Sequence, residues 1–165
     1  MGIFLLLGSN QGDRLATLSE AGRMINERIG QMVRSSSIYA TQAWGQTEQA
    51  DFLNQVIEIE SGLRAEEVLH QALEIEKHLG RQRIEKWGPR VIDIDILYVG
   101  NEVIKTDNLV VPHPQIPFRR FTLVPLAEIA PNFFHPTLGK NQMQLLNECS
   151  DALEVRKLSD ATASI

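Results

Sequence analysis

Cysteine is nearly absent: Cys149 is the only one in 165 residues. No disulfide can form within the chain, which points to a reducing, cytoplasmic setting. The four histidines, His70, His78, His113 and His135, lack zinc-ligand spacing, so a structural zinc site is excluded. No apolar run is long enough to cross a bilayer, and the apolar opening Met1–Leu7 lacks the charged flank of a signal peptide. An excess of basic charge is missing too. The 16 Lys+Arg against 21 Asp+Glu leave a net charge of −5, which argues against a general nucleic-acid binder. There is no Gly-x-x-x-x-Gly-Lys-Ser/Thr loop, no Gly-x-Gly-x-x-Gly fingerprint and no Gly-x-Ser-x-Gly elbow. P-loop, dinucleotide-binding and serine-hydrolase chemistries are thereby set aside.

What remains is an ordinary globular composition, 43% hydrophobic and 22% charged. It predicts one domain over residues 1–165 with a frayed tail at 159–165. Ile3–Leu7 reads as a covered strand ended by a turn at Gly8-Ser9-Asn10. Leu15, Leu18, Gly22, Ile25 and Ile29 recur at helical steps, with Gly30 as a stop. Met32–Ile38 reads as a strand, 39–54 as a long irregular stretch, and Gln55–Glu60 as a strand. Ala65–Leu79 is a second amphipathic helix. Val91–Val99 is a strand, predicted to be central, with Gly100-Asn101 as a hairpin turn into Glu102–Ile104. Frequent prolines from Pro112 to Pro136 argue against long helices there, and residues 141–149 suit a last helix. The order predicts an α+β fold with a ferredoxin-like β-α-β-β-α-β core, extra short strands and C-terminal helices.

The strand Val91–Val99 carries the main chemical signal. Asp93 and Asp95 alternate with Ile92, Ile94, Ile96 and Tyr98, so the two acids share one face and the apolar residues the other. Their Cα atoms lie roughly 7 Å apart, close enough for two carboxylates to hold one or two hard cations. Two acids in an apolar strand are costly unless a cation compensates them. Arg81, Arg83 and Arg90 stand just upstream, and guanidinium forks suit phosphate oxygens. Together they fit a magnesium-bound polyphosphate. Trp87, Phe52 and Phe121 sit outside periodic core positions and suit stacking on a flat heterocycle. Asn54 offers the donors and acceptor that the edge of such a ring requires. His113, between Pro112 and Pro114, suits either a phosphate contact or a turn cap.

These segments resemble the 6-hydroxymethyl-7,8-dihydropterin pyrophosphokinase family. They are Leu7-Gly8-Ser9-Asn10, Tyr39-Ala40-Thr41, Asp51-Phe52-Leu53-Asn54, Glu76, Gly80-Arg81-Gln82-Arg83, Trp87-Gly88-Pro89-Arg90 through Asp95, Val111-Pro112-His113-Pro114, Arg119, and Phe121 through Leu126. The resemblance implies pyrophosphoryl transfer from ATP to the pterin hydroxymethyl group, releasing AMP. A monomer without nucleic-acid or membrane partners is expected. It implies two Mg²⁺ ions on Asp93 and Asp95, with Arg81 and Arg90 neutralising phosphate. It assigns Glu76, Arg83, Trp87, Arg90, Ile96, His113 and Arg119 to ATP. It assigns Thr41, Gln42, Ala43, Trp44, Phe52, Asn54, Trp87 and Phe121 to the pterin. The family often has prolines after the threonine, where this chain reads Thr41-Gln42-Ala43-Trp44. Two other classes compete: an RNA-binding module on the same strand–helix order, and another Mg²⁺-dependent nucleotidyl or glycosyl transferase. The acids on the strand disfavour the first, and the reaction products separate the second.

Overall fold

The computed structural model describes residues 2–42, 51–80 and 91–158. Strand β1 (Gly2–Ser9) leads to helix α1 (Arg14–Arg28), then to β2 (Gln31–Ser35), β3 (Tyr39–Thr41) and β4 (Phe52–Glu60). Helix α2 (Ala65–Leu79) precedes β5 (Asp93–Val99). A small ribbon of β6 (Ile104–Lys105) and β7 (Val110–Val111) follows, then a 3-10 turn at Ile116–Phe118. Helices α3 (Arg120–Ile129) and α4 (Gln142–Glu148) and strand β8 (Val155–Lys157) complete the described chain.

The main sheet runs β5-β1-β4-β3-β8, with β2 also on β4, and every pairing is antiparallel. With β2 and β3 taken as two halves of one strand, this is the expected ferredoxin-like order, its fourth and third strands flanking the first. β1 alternates strictly. Ile3, Leu5 and Leu7 face α1 and α2, and Phe4 and Leu6 face α3 and α4. A sheet covered on both faces explains why β1 reads as an unbroken apolar run. Burying one such leucine contributes about 2 kcal/mol.

The helices start where local chemistry allows. Asp13 accepts the Ala16 N–H at 3.1 Å and caps α1. Glu66 and Glu67 lie in the first turn of α2 and Lys77 and His78 in its last, matching the helix dipole. Asn141 and Gln144 form a reciprocal capping box on α4. Gly30 serves a close approach: a Cβ there would stand 2.3 Å from the Glu60 carbonyl oxygen.

Several sequence expectations need correction. Gly8 and Ser9 belong to β1, because pairing with β4 and β5 carries the strand past the apolar run. The irregular stretch at 39–54 is shorter at both ends, since β3 and β4 pair from Tyr39–Thr41 to Phe52–Asn54. β5 lies at a sheet edge, paired only to β1 among the described strands. Its apolar character comes from coverage of both faces. Tyr98 does not share the isoleucine face. A register shift opposite Phe4 and Leu5 adds one residue to β5, which turns Tyr98 over to the α3 side. There its ring meets Phe4, Phe133 and His135 edge-on or tilted, and its hydroxyl donates to Gln142 Oε1 at 3.1 Å. Residues 102–104 do not return along β5, for β6 pairs β7 instead. The proline-rich region does hold a ten-residue helix, α3, with Pro125 inside it. The tail at 159–165 lies outside the described residues.

His135 is only 6% exposed, and its Nδ1 accepts from the Thr137 and Leu138 N–H groups, both at 3.2 Å. Burial pushes its pKa below the ordinary histidine value of 6.5. The unfolded chain then binds the proton more readily, so this contribution to stability is intact above pH 6.5 and fades as pH falls towards the folded value. An NMR titration should place the His135 midpoint below 6.5. A midpoint at or above 6.5 would contradict its buried placement.

Candidate active site

One row across three strands builds the floor of a cavity of about 450 Å³. Gly8 on β1 is the register partner of Asn54 on β4 and of Asp93 on β5. One residue pair along, on the same face, Asp95 sits beside Leu6 by the strand alternation. Asn54, Gly8, Asp93, Asp95 and Leu6 all line the cavity. The two aspartates are therefore on one face, as the sequence predicts, and both are half-buried.

Gly8 makes a close approach. A Cβ there would meet Asn54 Oδ1 at 3.0 Å and would project onto the floor between the amide and Asp93. Asn54 is buried, and its Nδ2 donates to Thr41 Oγ1 at 3.0 Å. That bond orients the amide and leaves Oδ1 toward Gly8. Thr41 and exposed Gln42 also line the cavity, at the end of β3.

The walls are aromatic. Half-buried Phe52, which opens β4, and half-buried Phe121, in the first turn of α3, both line the cavity. The Arg119 guanidinium carbon lies 5.5 Å from the centre of the Phe121 ring, a cation–π contact that holds both at the cavity. Gln115 and the exposed Phe118 line the mouth from the 3-10 segment, and Asp151 and Leu153 close the C-terminal side.

Glu76 and His113 flank the outer edge of β5. The Ile94 N–H, turned away from β1, donates to Glu76 Oε2 at 2.6 Å, so α2 secures the strand between its two aspartates. The His113 N–H donates to the Leu97 carbonyl at 3.0 Å, and its Nδ1 accepts from the Gln115 N–H at 3.2 Å. Burial lowers the His113 pKa below its ordinary value, the Asp95 charge opposes this, and Arg119 adds to it. Neutral imidazole, with the proton on Nε2, is the form this geometry favours. The Ile96 side chain is buried beneath the helices, on the face opposite the cavity.

The structure thus brings together Thr41, Gln42, Phe52, Asn54, Asp93, Asp95, Arg119 and Phe121, with Glu76 and His113 beside β5. Ala43, Trp44, Arg81, Arg83, Trp87 and Arg90 lie outside the described residues. Sequence reasoning missed the floor glycine, Gln115, Phe118, Asp151 and Leu153. An exposed aromatic between Pro117 and Arg119 was an available signal for Phe118. Nothing local marks Asp151 or Leu153.

The chain is 42% identical over 138 residues to a 2-amino-4-hydroxy-6-hydroxymethyldihydropteridine pyrophosphokinase of Aquifex aeolicus, covering 84% of this chain and 86% of that protein. It is 44% identical over 127 residues to the Bacillus subtilis protein of the same name, covering 76% of each. In fold it is similar to a crystal structure titled Plasmodium falciparum HPPK-DHPS, with a TM-score of 0.73 at 14% identity. That match covers 89% of this chain and 43% of the other. The sequence pattern described as 7,8-dihydro-6-hydroxymethylpterin-pyrophosphokinase matches residues 4–131, and the chain belongs to that family.

Proposed function

We propose that Asp93 and Asp95 are the magnesium ligands, and the Asn54–Phe52–Phe121 cluster the pterin site, of the reaction this family carries out. The enzyme transfers pyrophosphate from ATP to the hydroxymethyl group of 6-hydroxymethyl-7,8-dihydropterin, giving AMP and the pterin diphosphate in folate biosynthesis. One observation carries the residue assignment: the row Asn54–Gly8–Asp93 spans three adjacent strands on the floor of one cavity. On this reading a group suited to a heterocycle edge and a group suited to a cation share one floor, one strand apart.

The donor set fits magnesium. Two carboxylates share a face, and no group of three or more potential ligands occurs among the described residues. Mg²⁺ keeps several waters and takes its other ligands from substrate phosphates, so two carboxylates suffice. When bound, two such ions would neutralise phosphate charge at the attacking and leaving oxygens. The protein does the rest by placement. Phe52 and Phe121 sandwich the ring, Asn54 and Thr41 with Gln42 fix its edge, and the hydroxymethyl oxygen is aimed at the β-phosphorus. A bond forms from that oxygen to the β-phosphorus as the bond from the β-phosphorus to the α,β-bridging oxygen breaks; AMP leaves with the bridging oxygen, and the hydroxyl proton passes to solvent.

The nucleotide lies along the free edge of β5 on this reading. Ile94 turns its N–H outward, so Ile96, two residues on, turns its backbone the same way toward the base. Its side chain stays in the core, and contact is through the main chain. Glu76, His113 and Arg119 border that edge. Ala43 and Trp44 complete the pterin site, Arg81 and Arg90 neutralise phosphate, and Arg83 and Trp87 close over the substrates, as the resemblance implies. The working form is a cytoplasmic monomer.

Phosphorus NMR tests the reading. Purified protein with ATP, Mg²⁺ and the pterin should yield AMP in step with a pterin diphosphate, and only when pterin is present. Folded protein that binds Mg-ATP and gives no pterin-dependent AMP would overturn it.

A further inference from the structure

Helix α3 begins without a cap of its own. Its N-cap position is Arg119, whose side chain makes no capping hydrogen bond, and no acid lies in the first turn. Two residues that line the substrate cavity, Arg119 and Phe121, stand on either side of this uncapped start. The Arg120 N–H between them is satisfied from 31 residues away, by Asp151 Oδ2 at 3.0 Å. The other oxygen of the same carboxylate accepts the Leu153 N–H, also at 3.0 Å. Asp151 and Leu153 both line the cavity. The segment continues into β8, which pairs with β3 at Tyr39–Thr41, and Thr41 also lines the cavity. This part of the chain lies beyond residues 4–131, the span matched by the family pattern.

We propose that Asp151 is a positioning residue for the substrate pocket, capping α3 across space and thereby setting Arg119 and Phe121 against the cavity. The physical logic is that of an N-cap: an acceptor holds an otherwise unsatisfied first-turn N–H, and its negative charge suits the positive end of the helix. Its two oxygens serve two segments, so one side chain ties the start of α3 to the C-terminal wall. The cation–π contact of Arg119 with Phe121 passes that placement on to both residues. Without the carboxylate, the first turn frays and the aromatic wall loses its fixed distance from Phe52. The substrate consequence rests on the pterin reading given above; the cap itself does not.

The test compares the full chain with Asp151→Ala, Asp151→Asn and, as a reference, Phe121→Ala. Asp151→Ala should raise KM for the pterin about fivefold with kcat within about twofold, and speed hydrogen exchange at the Arg120 amide. Asp151→Asn retains an acceptor and should recover most of the KM. A lowered melting temperature with both KM values and the exchange rate unchanged would make Asp151 merely structural and overturn the proposal. Phe121→Ala separates the two layers. If it leaves the pterin KM unchanged, the pterin reading of Phe121 fails. Faster Arg120 exchange in Asp151→Ala then upholds the cap, and unchanged exchange overturns it.

Discussion

Asp95→Ala is expected to lower kcat by about a thousandfold or more while leaving the fold intact. The size follows from the role: a metal that neutralises phosphate charge supplies several kcal/mol in the transition state, and each 1.36 kcal/mol is tenfold in rate. The fold survives because the core does not use this side chain. β5 is held by Ile94, Ile96 and Val99 beneath α1 and α2, and by Leu97 and Tyr98 against α3 and α4. Asp95 is half-buried on the cavity wall. Asp95→Asn keeps the shape and should lose nearly as much, because the missing property is charge. Steady-state rates with circular dichroism and thermal melts on the same samples decide it. A folded Asp95→Ala protein with near-normal kcat would remove the metal assignment.

Gly8→Val is expected to cut kcat/KM by about a hundredfold, with KM for the pterin carrying much of the loss. The Cβ alone would press to 3.0 Å from Asn54 Oδ1, and the two methyl groups would occupy the cavity floor between Asn54 and Asp93. Asn54 must give way by a few tenths of an ångström, which strains its bond to Thr41 Oγ1. A lost hydrogen bond to a buried polar group and a lost binding volume each cost about 1–3 kcal/mol, so their sum reaches the stated range. The fold should tolerate the change, since valine suits a strand and the new side chain points into the cavity. Kinetics for both substrates, with melting curves, check it. Unchanged pterin KM in a folded Gly8→Val protein would show that the ring does not lie over this row.

Much of the architecture was legible because period carries it. The repeat of Leu15, Leu18, Gly22, Ile25 and Ile29 became α1, and that of Ala65, Val68, Ala72 and Ile75 became α2. Asp93 and Asp95 fell on one face because side chains alternate along a strand whatever its neighbours are. The failures share a cause as well. The place of β5 at the sheet edge, the one-residue shift that turned Tyr98 over, and the pairing of β6 with β7 all depend on partners distant in sequence. Helix α3 formed despite Pro125 because Leu123 and Leu126 bury completely against the sheet, and packing of that kind outweighs a local propensity.

The sequence by itself determined the inventory of chemistry. It specified two acids on one strand face, fixed cations just upstream, aromatics outside the core pattern, and an asparagine two residues beyond Phe52. Those choices are covalent and local, so spacing and residue type were enough to read them. Only the tertiary structure decided which of them meet. Antiparallel pairing of β1 with both β4 and β5 set Asn54 and Asp93 on either side of Gly8. The return of the C-terminal segment to β3 delivered Asp151 to the start of α3. Register and chain return are settled by the burial of whole faces, a property of the assembled sheet that no short window of residues contains.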